Sequence, residues 1–422
     1  MATKKLPITV MVLGNGSDVE VARTLAKQVK KVYYFCEWRQ TGFPDEILMT
    51  VGANFPEFEK ILNTDDYEEE TDLFVFTDNL YGAMQERLRR AGKKVYGTGY
   101  ASELEEDRIG LKKILKKQGL PISPYAVLTG TEELSEYLKK HDNQYIKINI
   151  IRGRTETWHA ESYKIVEPKI TDLSQSMIMK YQYKYLSEDE LPHMPEEGID
   201  TYYVGGKHPK VVMAGIEMPK DVAYQCRMIE YNKLPKELTI VNDKLEEVFD
   251  YYDLKGPVST EVRISDKHES FLGDLTMRFG NPPAFTQLLA WTNLAEIFWG
   301  VANGEIVEPE YDFEYFVEVE MNSDWGANED MVIYIPDDVR ENVKLKYCTI
   351  INKELVCLPQ VWKIPQVGSI VAGGKTLEEA RKKVAEIAKK IKGLELKIPI
   401  DDLMKSEDEI KQMTEMKINF FD

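Results

Sequence analysis

Polar residues alternate with apolar ones in the segment "GDLTMRFG", which runs from residue 273 to residue 280. Asp274, Thr276 and Arg278 are each two positions apart. In a β-strand such residues point to one face, so the apolar residues between them would form the core face. An acid, a hydroxyl and a guanidinium on one face could hold a metal ion and the phosphate groups that the ion bridges.

A second acid lies within pairing distance of this segment. Glu261, in "STEVRI", also belongs to a strand pattern, and the turn "SDKHES" joins the two strands. In an antiparallel pair, Glu261 and Asp274 can lie opposite each other. Two carboxylates with a hydroxyl oxygen suit Mg²⁺, and Arg278 could stabilise charge on a transferring phosphoryl group. The alternative is a surface hairpin with solvated charges.

Basic residues upstream favour the phosphate-binding interpretation. Lys147 is the single charge in the strand pattern "YIKINI", and a buried lysine without a partner is costly, so we expect it to reach an anion. Arg108 begins a basic helix. The loop "RGRTET", residues 152–157, offers amides, hydroxyls and guanidiniums to phosphates. An exposed hairpin tip is the alternative for this loop.

The N-terminal segment alternates strand and helix patterns. In "ITVMVLGNGSDVEVARTLAKQVKKVYYF" an apolar strand, a glycine turn, an amphipathic helix and a second strand follow one another. "DLFVFTD" and "GKKVYGTG" add further strands. This order predicts a parallel, Rossmann-like sheet up to about residue 100.

The glycine turn of that segment allows two interpretations. "GNGSD", from Gly14 through Gly16 to Asp18, is similar to a phosphate-binding turn but lacks the third glycine, and a tight strand-to-helix turn fits it equally well. Glu37 after the second strand would complete an NAD-type site. Dinucleotide binding would leave Lys147 and the acid pair unexplained.

Composition restricts the class of protein. A length of 422 residues predicts two or three domains, and a net charge of −18 argues against a general nucleic-acid or anionic-membrane binder. No apolar run reaches the roughly 18 residues of a membrane span, and the N-terminus leads directly into a strand, so we expect no signal peptide. The four scattered cysteines indicate reduced thiols and a cytoplasmic location, and the five histidines lack zinc-ligand spacing.

Taken in order, these motifs resemble the ATP-grasp ligases, and more narrowly the glycinamide ribonucleotide synthetase (phosphoribosylamine–glycine ligase) family. "DRIGLKKILKKQGLPISPY" is similar to that family's helix and "GIPTAxY" segment, and "GDLTMRFGNPPAFTQ" is similar to its "EFNCRFGDPETQ". "IVAGGKTLEEARKKVAEIAKKIKG" is similar to its closing strand, turn and helix. The resemblance covers almost the whole chain.

The resemblance implies a chain of mixed α/β and α+β class in three domains. These are a Rossmann-like domain at 1–104, an ATP-grasp domain at 105–310 and a small C-terminal α+β domain at 311–422. Within the second domain, a lid subdomain is expected at about 122–180.

The resemblance also implies residue roles. Catalysis would involve Arg278 and Lys147, and the metal ligands would be Glu261, Asp274 and Thr276. The residues expected to bind ATP are Arg108, Lys147, Arg152, Gly153, Arg154, Thr155, Met179, Lys180, Tyr181 and Asp200. The residues expected near the other substrates are Gly14, Gly16, Asp18 and Asn281.

Departures from the family pattern qualify the expected function. The glycine-rich lid is replaced by "INIIRGRTET", and the family's "GPNTGGMGA" substrate motif is absent. We therefore expect an ATP- and Mg²⁺- (or Mn²⁺-) dependent carboxylate–amine ligase that acts through an acyl phosphate on a different small carboxylate or amine, as a monomer or homodimer. The alternative is a catalytically weakened nucleotide-binding or scaffold protein, because Asp274 and Thr276 replace a glutamate and an asparagine.

Overall fold

A computed structural model describes residues 5–37, 46–79, 81–150, 157–176, 181–191, 194–220, 222–360 and 363–422. Within these ranges the chain forms four β-sheets. No helix in the described ranges is long and apolar enough to cross a bilayer.

The N-terminal part is a parallel five-stranded sheet. Its elements are β1 (Leu6–Gly14), α1 (Val19–Ala26), β2 (Val29–Cys36), α2 (Glu46–Thr50), β3 (Glu59–Ile61), β4 (Leu73–Phe76), α3 (Gly82–Arg90) and β5 (Lys94–Tyr96). The strand order is β3-β2-β1-β4-β5, so the chain changes direction across the sheet between β1 and β4. Alternate residues of β1 pack into two different cores, which is why the strand is apolar throughout. The predicted Rossmann-like sheet is confirmed.

The next part is a small antiparallel sheet, which we call the lid sheet. After α4 (Glu103–Glu106) and α5 (Arg108–Lys117), it comprises β6 (Tyr125–Thr129), α6 (Gly130–Leu138), β7 (Gln144–Ile148), β8 (Thr157–Ala160), α7 (Tyr163–Ser176) and β9 (Lys184–Asp189). The strand order is β6-β9-β7-β8. Asp107 begins α5 by accepting a 3.0 Å hydrogen bond from the Gly110 amide.

The remaining elements follow in chain order. They are β10 (Glu196–Val204), β11 (Val211–Glu217), β12 (Ala223–Glu230), α8 (Lys236–Tyr251), β13 (Lys255–Ile264), β14 (Ser270–Thr276), α9 (Pro283–Ala290), α10 (Leu294–Ala302), β15 (Tyr315–Ser323), β16 (Met331–Tyr334), β17 (Val343–Leu345), β18 (Cys348–Ile351), β19 (Glu354–Cys357), β20 (Gln366–Gly374), α11 (Leu377–Ala388), β21 (Lys392–Gly393), β22 (Leu396–Lys397) and α12 (Ser406–Met416).

Most of these strands form one large sheet. Its order is β14-β13-β10-β11-β12-β15-β20-β17, with β22 added beside β15, while β18, β19, β16 and β21 form a fourth, smaller sheet. Because β12 pairs with β15, the predicted domain boundary near residue 310 falls within one continuous hydrogen-bonded sheet. The division of the chain into domains at this boundary stays a prediction.

A shared hydrophobic core joins the N-terminal sheet to the later part of the chain. Helix α10 is apolar on nearly all sides, as expected of a helix that is buried rather than half-exposed. Phe298 of α10 stacks on Tyr96 of β5, with ring centroids 4.0 Å apart. Packing of this kind holds the edge of the N-terminal sheet that carries β5 against the large sheet.

Candidate functional site

A cleft of about 760 Å³ lies between the lid sheet and the end of the large sheet that carries β14. We call it the charged cleft, because acidic and basic side chains line it. It brings together eight of the residues singled out from the sequence: Arg108, Lys147, Asp200, Glu261, Asp274, Thr276, Arg278 and Asn281. These residues lie far apart in the sequence but line one cavity. The roles proposed for them stay predictions.

A β-bulge aims the acidic residues into the charged cleft. Glu261 of β13 lies directly opposite Asp274 of β14, but the next residue of β13 lies opposite Leu272, which leaves Gly273 as an extra residue. Leu272 and Leu275 are therefore both buried in the core, although they are three positions apart. Strict alternation would have placed Leu272 on the same face as Asp274; the bulge allows Asp274 to face the cleft without exposing that leucine.

Two carboxylates on the acidic wall of the cleft, those of Glu261 and Glu196, have shifted pKa values. Burial raises the pKa of Glu261 well above its ordinary value, and the negative charge of Asp274 adds to this effect, while Lys220, 2.8 Å away, opposes it. Burial also acts to raise the pKa of Glu196, but Lys220 and Arg263 outweigh burial and lower that pKa to about 2. Lys220 thus bridges two carboxylates on the cleft wall.

The donor set is compatible with a divalent cation. Glu261 and Asp274 face each other, and the hydroxyl of Thr276 is the third oxygen on the same wall. A carboxylate whose pKa is raised by burial and by a like charge gains from a nearby cation. In the part of the chain that the structure describes, no group of three or more His, Cys, Asp or Glu side chains has metal-site geometry. A cation here would need further ligands from phosphate oxygens and water.

The opposite wall is basic and is organised by one glutamate. Glu188 of β9 pairs with Lys112 through one carboxylate oxygen and lies 3.3 Å from Lys147 Nζ through the other. Lys147 Nζ also donates a 3.2 Å hydrogen bond to the carbonyl of the bulge residue Gly273. Burial acts to raise the pKa of Glu188, but the two lysines outweigh it and lower that pKa. This contact links the lid sheet to the acidic wall.

Sequence reasoning did not identify Lys112 or Glu188. Lys112 lies one helical turn after Arg108 on α5, so the spacing i, i+4 could have placed both on one face. Burial lowers the pKa of Lys112 and is opposed by the charge of Glu188. Arg108 itself is buried and donates a 2.9 Å hydrogen bond to the Ile148 carbonyl, which ties α5 to the end of β7.

The floor of the charged cleft contains a buried acid, Asp200 of β10. Burial raises its pKa to about 6, while hydrogen bonds with Ser259 and Tyr224 act in the opposite direction. The predicted ribose contact of Asp200 stays a prediction. Its Oδ2 accepts a hydrogen bond from the Tyr224 hydroxyl, whereas its buried Oδ1 has no hydrogen-bond partner among the described residues.

Several predicted ATP-binding residues lie outside the described residues, namely Arg152, Gly153, Arg154, Thr155, Met179 and Lys180. Tyr181 is described; its side chain is 61% exposed, and it does not line the charged cleft. Between the lid sheet and the large sheet, the cleft is lined instead by Glu188, Asp189 and Leu191.

A smaller cavity of about 60 Å³, which we call the side pocket, adjoins the charged cleft. It lies at the carboxyl ends of β1 and β4, where the strand order of the parallel sheet reverses, and open parallel sheets bind ligands at such points. Its polar lining residues are Asn15, Ser17, Asp18, Thr77, Asp78, Arg278, Asn281 and Lys346. Arg278 and Asn281 line both cavities.

The Gly14–Asp18 turn is filled by its own carboxylate. The Asp18 side chain accepts hydrogen bonds from Thr77 and, at 2.9 Å, from Tyr34, and burial raises its pKa. A Cβ atom at Gly14 would lie 1.3 Å from Asp18 Oδ2, so a side chain there would displace this carboxylate from its hydrogen bonds. A carboxylate in this position disfavours a dinucleotide phosphate, and the glycine pattern is explained by the tight turn.

Arg278 occupies the junction between the two cavities. Its Nε donates a 3.1 Å hydrogen bond to Glu105 Oε1 and lies 3.9 Å from Asp78 Oδ1. The other oxygen of Glu105 accepts a 2.8 Å hydrogen bond from the Met277 amide. Glu105, which sequence reasoning missed, therefore holds both the backbone and the side chain at the end of β14.

Lys346, also missed, brings a distant part of the chain into the side pocket. Its Nζ donates to Asn281 Oδ1 at 2.6 Å and to Gln366, and the side chain is buried. Nothing in the sequence around Lys346 indicates a site, because its position depends on β17 pairing at the edge of the large sheet. The pocket thus combines residues from both ends of the chain.

The parallel sheet, the lid sheet and the cleft between lid and large sheet together form the ATP-grasp fold. No protein-family model matches the sequence, and no curated protein matches it. Solved structures of ATP-grasp enzymes do match the fold over at least nine-tenths of this chain. At identities of 11–17%, the similarity is one of fold.

Three of these structures show the range of relatives. Phosphoribosylamine–glycine ligase from Thermotoga maritima is 17% identical, with a TM-score of 0.69, over 93% of this chain and 99% of its own. The biotin carboxylase domain of Hydrogenobacter thermophilus 2-oxoglutarate carboxylase, solved with magnesium ADP and bicarbonate, is 11% identical, with a TM-score of 0.70, over 98% and 99%. N5-carboxyaminoimidazole ribonucleotide synthetase from Thermus thermophilus is 14% identical, with a TM-score of 0.60, over 90% and 98%.

Proposed function

We propose that this protein is an ATP-dependent, ADP-forming ligase that joins a small carboxylate to an amine. The observation that carries the proposal is the charged cleft itself. An acid pair, Glu261 and Asp274, faces a lysine pair, Lys112 and Lys147, and Arg278 lies where the cleft meets a second pocket. Phosphoryl transfer requires positioned cations around the phosphates, and this arrangement supplies them.

The lysines would bind the phosphates of ATP. Lys112 and Lys147 already share the Glu188 carboxylate, which shows that an anion can contact both ammonium groups. Glu261, Asp274 and Thr276 would hold Mg²⁺, which would neutralise charge on the phosphate oxygens. The adenine would lie towards the connection that contains Asp189 and Leu191.

Two successive bond exchanges would complete the reaction. A carboxylate oxygen of the first substrate attacks the γ-phosphorus, the bond to the β-phosphate oxygen breaks, and ADP leaves. The amine nitrogen then attacks the carbonyl carbon of the acyl phosphate, phosphate leaves, and the nitrogen loses a proton. Arg278, held by Glu105, would stabilise negative charge that develops beside both cavities.

The side pocket would hold the polar end of a reacting substrate. It lies beside Arg278 at the reversal of the parallel sheet, which supports this assignment. Lys346 and Arg278 supply positive charge to its lining, and Asp78 supplies negative charge. A ligand with both an anionic and a basic group would satisfy this lining.

A nucleotide-binding protein without turnover is the second candidate. The observation that favours it is Lys220, whose ammonium lies 2.8 Å from the proposed metal ligand Glu261. A fixed cation in that position would compete with Mg²⁺ for the carboxylate. Binding of nucleotide without ADP formation would support this candidate.

The test is ADP formation from MgATP by the purified protein, with pooled small carboxylates and pooled amines. Under the proposal, ADP appears only when both pools are present and falls by at least about a hundredfold in Lys147→Ala and Asp274→Ala, because each removes a charge beside the phosphates. Full turnover in either variant contradicts the assigned roles. A thermal shift with MgADP but no turnover in the native protein supports the second candidate.

A further inference from the structure

Two of the four cysteines face each other across a hairpin. Cys348 of β18 and Cys357 of β19 are directly paired in the antiparallel register, and both side chains are fully buried. The other two cysteines, Cys36 and Cys226, belong to different strands. Nothing in the proposed ligase chemistry uses the pair.

The turn of this hairpin fixes the spacing of the two cysteines. Asn352 and Lys353 form a two-residue loop with φ values of 51° and 69°, as in a type I′ turn. In such a hairpin the residues beside the loop, Ile351 and Glu354, form a hydrogen-bonded pair, and pairs alternate from there. Counting back along the register makes Cys348 and Cys357 a non-hydrogen-bonded pair.

The backbone hydrogen bond beyond the pair agrees with this count. The Leu358 amide donates a 2.8 Å hydrogen bond to the Tyr347 carbonyl, so the next pair along is a hydrogen-bonded one. Opposed residues at a non-hydrogen-bonded position have Cα atoms about 4.5 Å apart, which lies within the range of about 4.4–6.8 Å for disulfides. The cysteines can therefore be bridged without moving the strands apart.

The outer edge of β18 is also fixed. The Gly52 amide donates a 2.8 Å hydrogen bond to the Cys348 carbonyl, and the Ile350 amide donates to the Ala53 carbonyl. Strand β18 is thus hydrogen-bonded on both sides and cannot slide along β19. These hydrogen bonds hold Cys348 opposite Cys357.

We propose that Cys348 and Cys357 are a modification site at which a reversible cross-strand disulfide forms. With hydrogen peroxide as oxidant, one thiol loses its proton and the resulting thiolate attacks the O–O bond. The products are a sulfenic acid and hydroxide, which takes up that proton to become water. The second thiol then attacks the sulfenic sulfur, releases a second water and forms the S–S bond. A dithiol returns the pair to the reduced state by exchange.

The disulfide would fix the segment that builds the side pocket. Tyr347 precedes Cys348 and donates a 2.8 Å backbone hydrogen bond to the Gly16 carbonyl, and Lys346 before it lines the pocket. Burial raises the pKa of both thiols, that of Cys357 to about 12. Oxidation should therefore be slow near neutrality and accelerate about tenfold per pH unit, because the thiolate is the nucleophile.

The test uses the full-length protein treated with hydrogen peroxide at pH 7, 8 and 9, then alkylated in denaturant and digested with trypsin. Cleavage after lysine separates the two cysteines into peptides 347–353 and 354–363. We expect these two peptides as a linked species lighter by two hydrogens than their sum. A dithiol should separate them, and Cys36 and Cys226 should remain alkylated.

An internal reference makes a negative result decisive. Met404 is 55% exposed, so its conversion to the sulfoxide reports that the oxidant reached the protein. If Met404 is oxidised while Cys348 and Cys357 both remain open to alkylation at every pH, the proposal is overturned. A link from either cysteine to Cys36 also overturns it. The Cys357→Ala variant, which keeps Cys348, should yield no linked species.

Discussion

Adjacent lysines on α5 offer a matched test of the basic wall of the charged cleft. Lys112 is buried and pairs with Glu188 in the cleft, whereas Lys113 is exposed. We expect Lys112→Met to weaken binding of MgADP and Lys113→Met to leave it unchanged. Both variants lose one positive charge and gain a methionine side chain, so they differ only in the position of the lost charge.

The magnitude follows from the kind of contact that is lost. A hydrogen bond to a charged group contributes about 1.5–3 kcal/mol, which corresponds to a roughly 10- to 150-fold increase in Kd. Lys147 remains 3.3 Å from Glu188, so that carboxylate keeps one cationic partner. We therefore expect the loss of unfolding free energy in Lys112→Met to stay below the 3–5 kcal/mol typical of a fully broken buried pair.

Isothermal calorimetry with MgADP measures the affinities without turnover, and urea unfolding measures the stability of the same samples. The proposal expects a clear difference in Kd between the two variants, with both still folded cooperatively. Equal Kd values for Lys112→Met and Lys113→Met would refute the assignment of Lys112 to the phosphates. A Lys112→Met variant that binds normally but unfolds in less urea would make Lys112 a structural residue.

Three further predictions concern charge. Asp274→Asn should weaken Mn²⁺ binding, measured by electron paramagnetic resonance in the presence of ADP, by at least tenfold; unchanged binding would remove Asp274 from the metal site. Glu20→Gln should cost about 3–5 kcal/mol of unfolding free energy in urea, because Arg340 and Lys344 lose a buried counter-charge; a cost below about 1 kcal/mol contradicts this. Burial raises the pKa of Glu318 to about 8, so the folded protein binds its proton more tightly than the unfolded chain. The stability that comes from this proton is present below pH 4.5 and is lost as the pH rises to 8. Glu318→Gln should remove about 3–5 kcal/mol of this pH dependence of the unfolding free energy, measured by urea unfolding at several pH values. An unchanged dependence of the unfolding free energy on pH contradicts the prediction.

The sequence predicted those structural features that depend on residues close together along the chain. Apolar runs separated by glycine turns and amphipathic helices predicted the parallel N-terminal sheet, because strand and helix periodicities are short-range properties. The hairpin that opposes Glu261 and Asp274 was also predictable, because a short turn joins the two strands. Both features are confirmed by the strand pairing.

What the sequence did not reveal depends on distant pairing. The bulge at Gly273 is not visible in the alternation of polar and apolar residues, because the extra residue is defined only by its partner strand. Lys346 reaches the side pocket through the pairing of β17 with β20, and Glu188 becomes the centre of the lysine pair only when β9 lies beside β7. The pairing of β12 with β15 across residue 310 is non-local in the same way.

The proposed ligase reaction is tested most directly by the fate of a carboxylate oxygen. The protein would be incubated with MgATP, a pool of small carboxylic acids labelled with ¹⁸O in the carboxyl group, and a pool of amines. An acyl-phosphate intermediate predicts released phosphate that carries one ¹⁸O atom, together with ADP, and loss of the label transfer in Lys147→Ala. ADP formation with unlabelled phosphate, or formation of AMP, would contradict phosphoryl transfer to a carboxylate in the charged cleft.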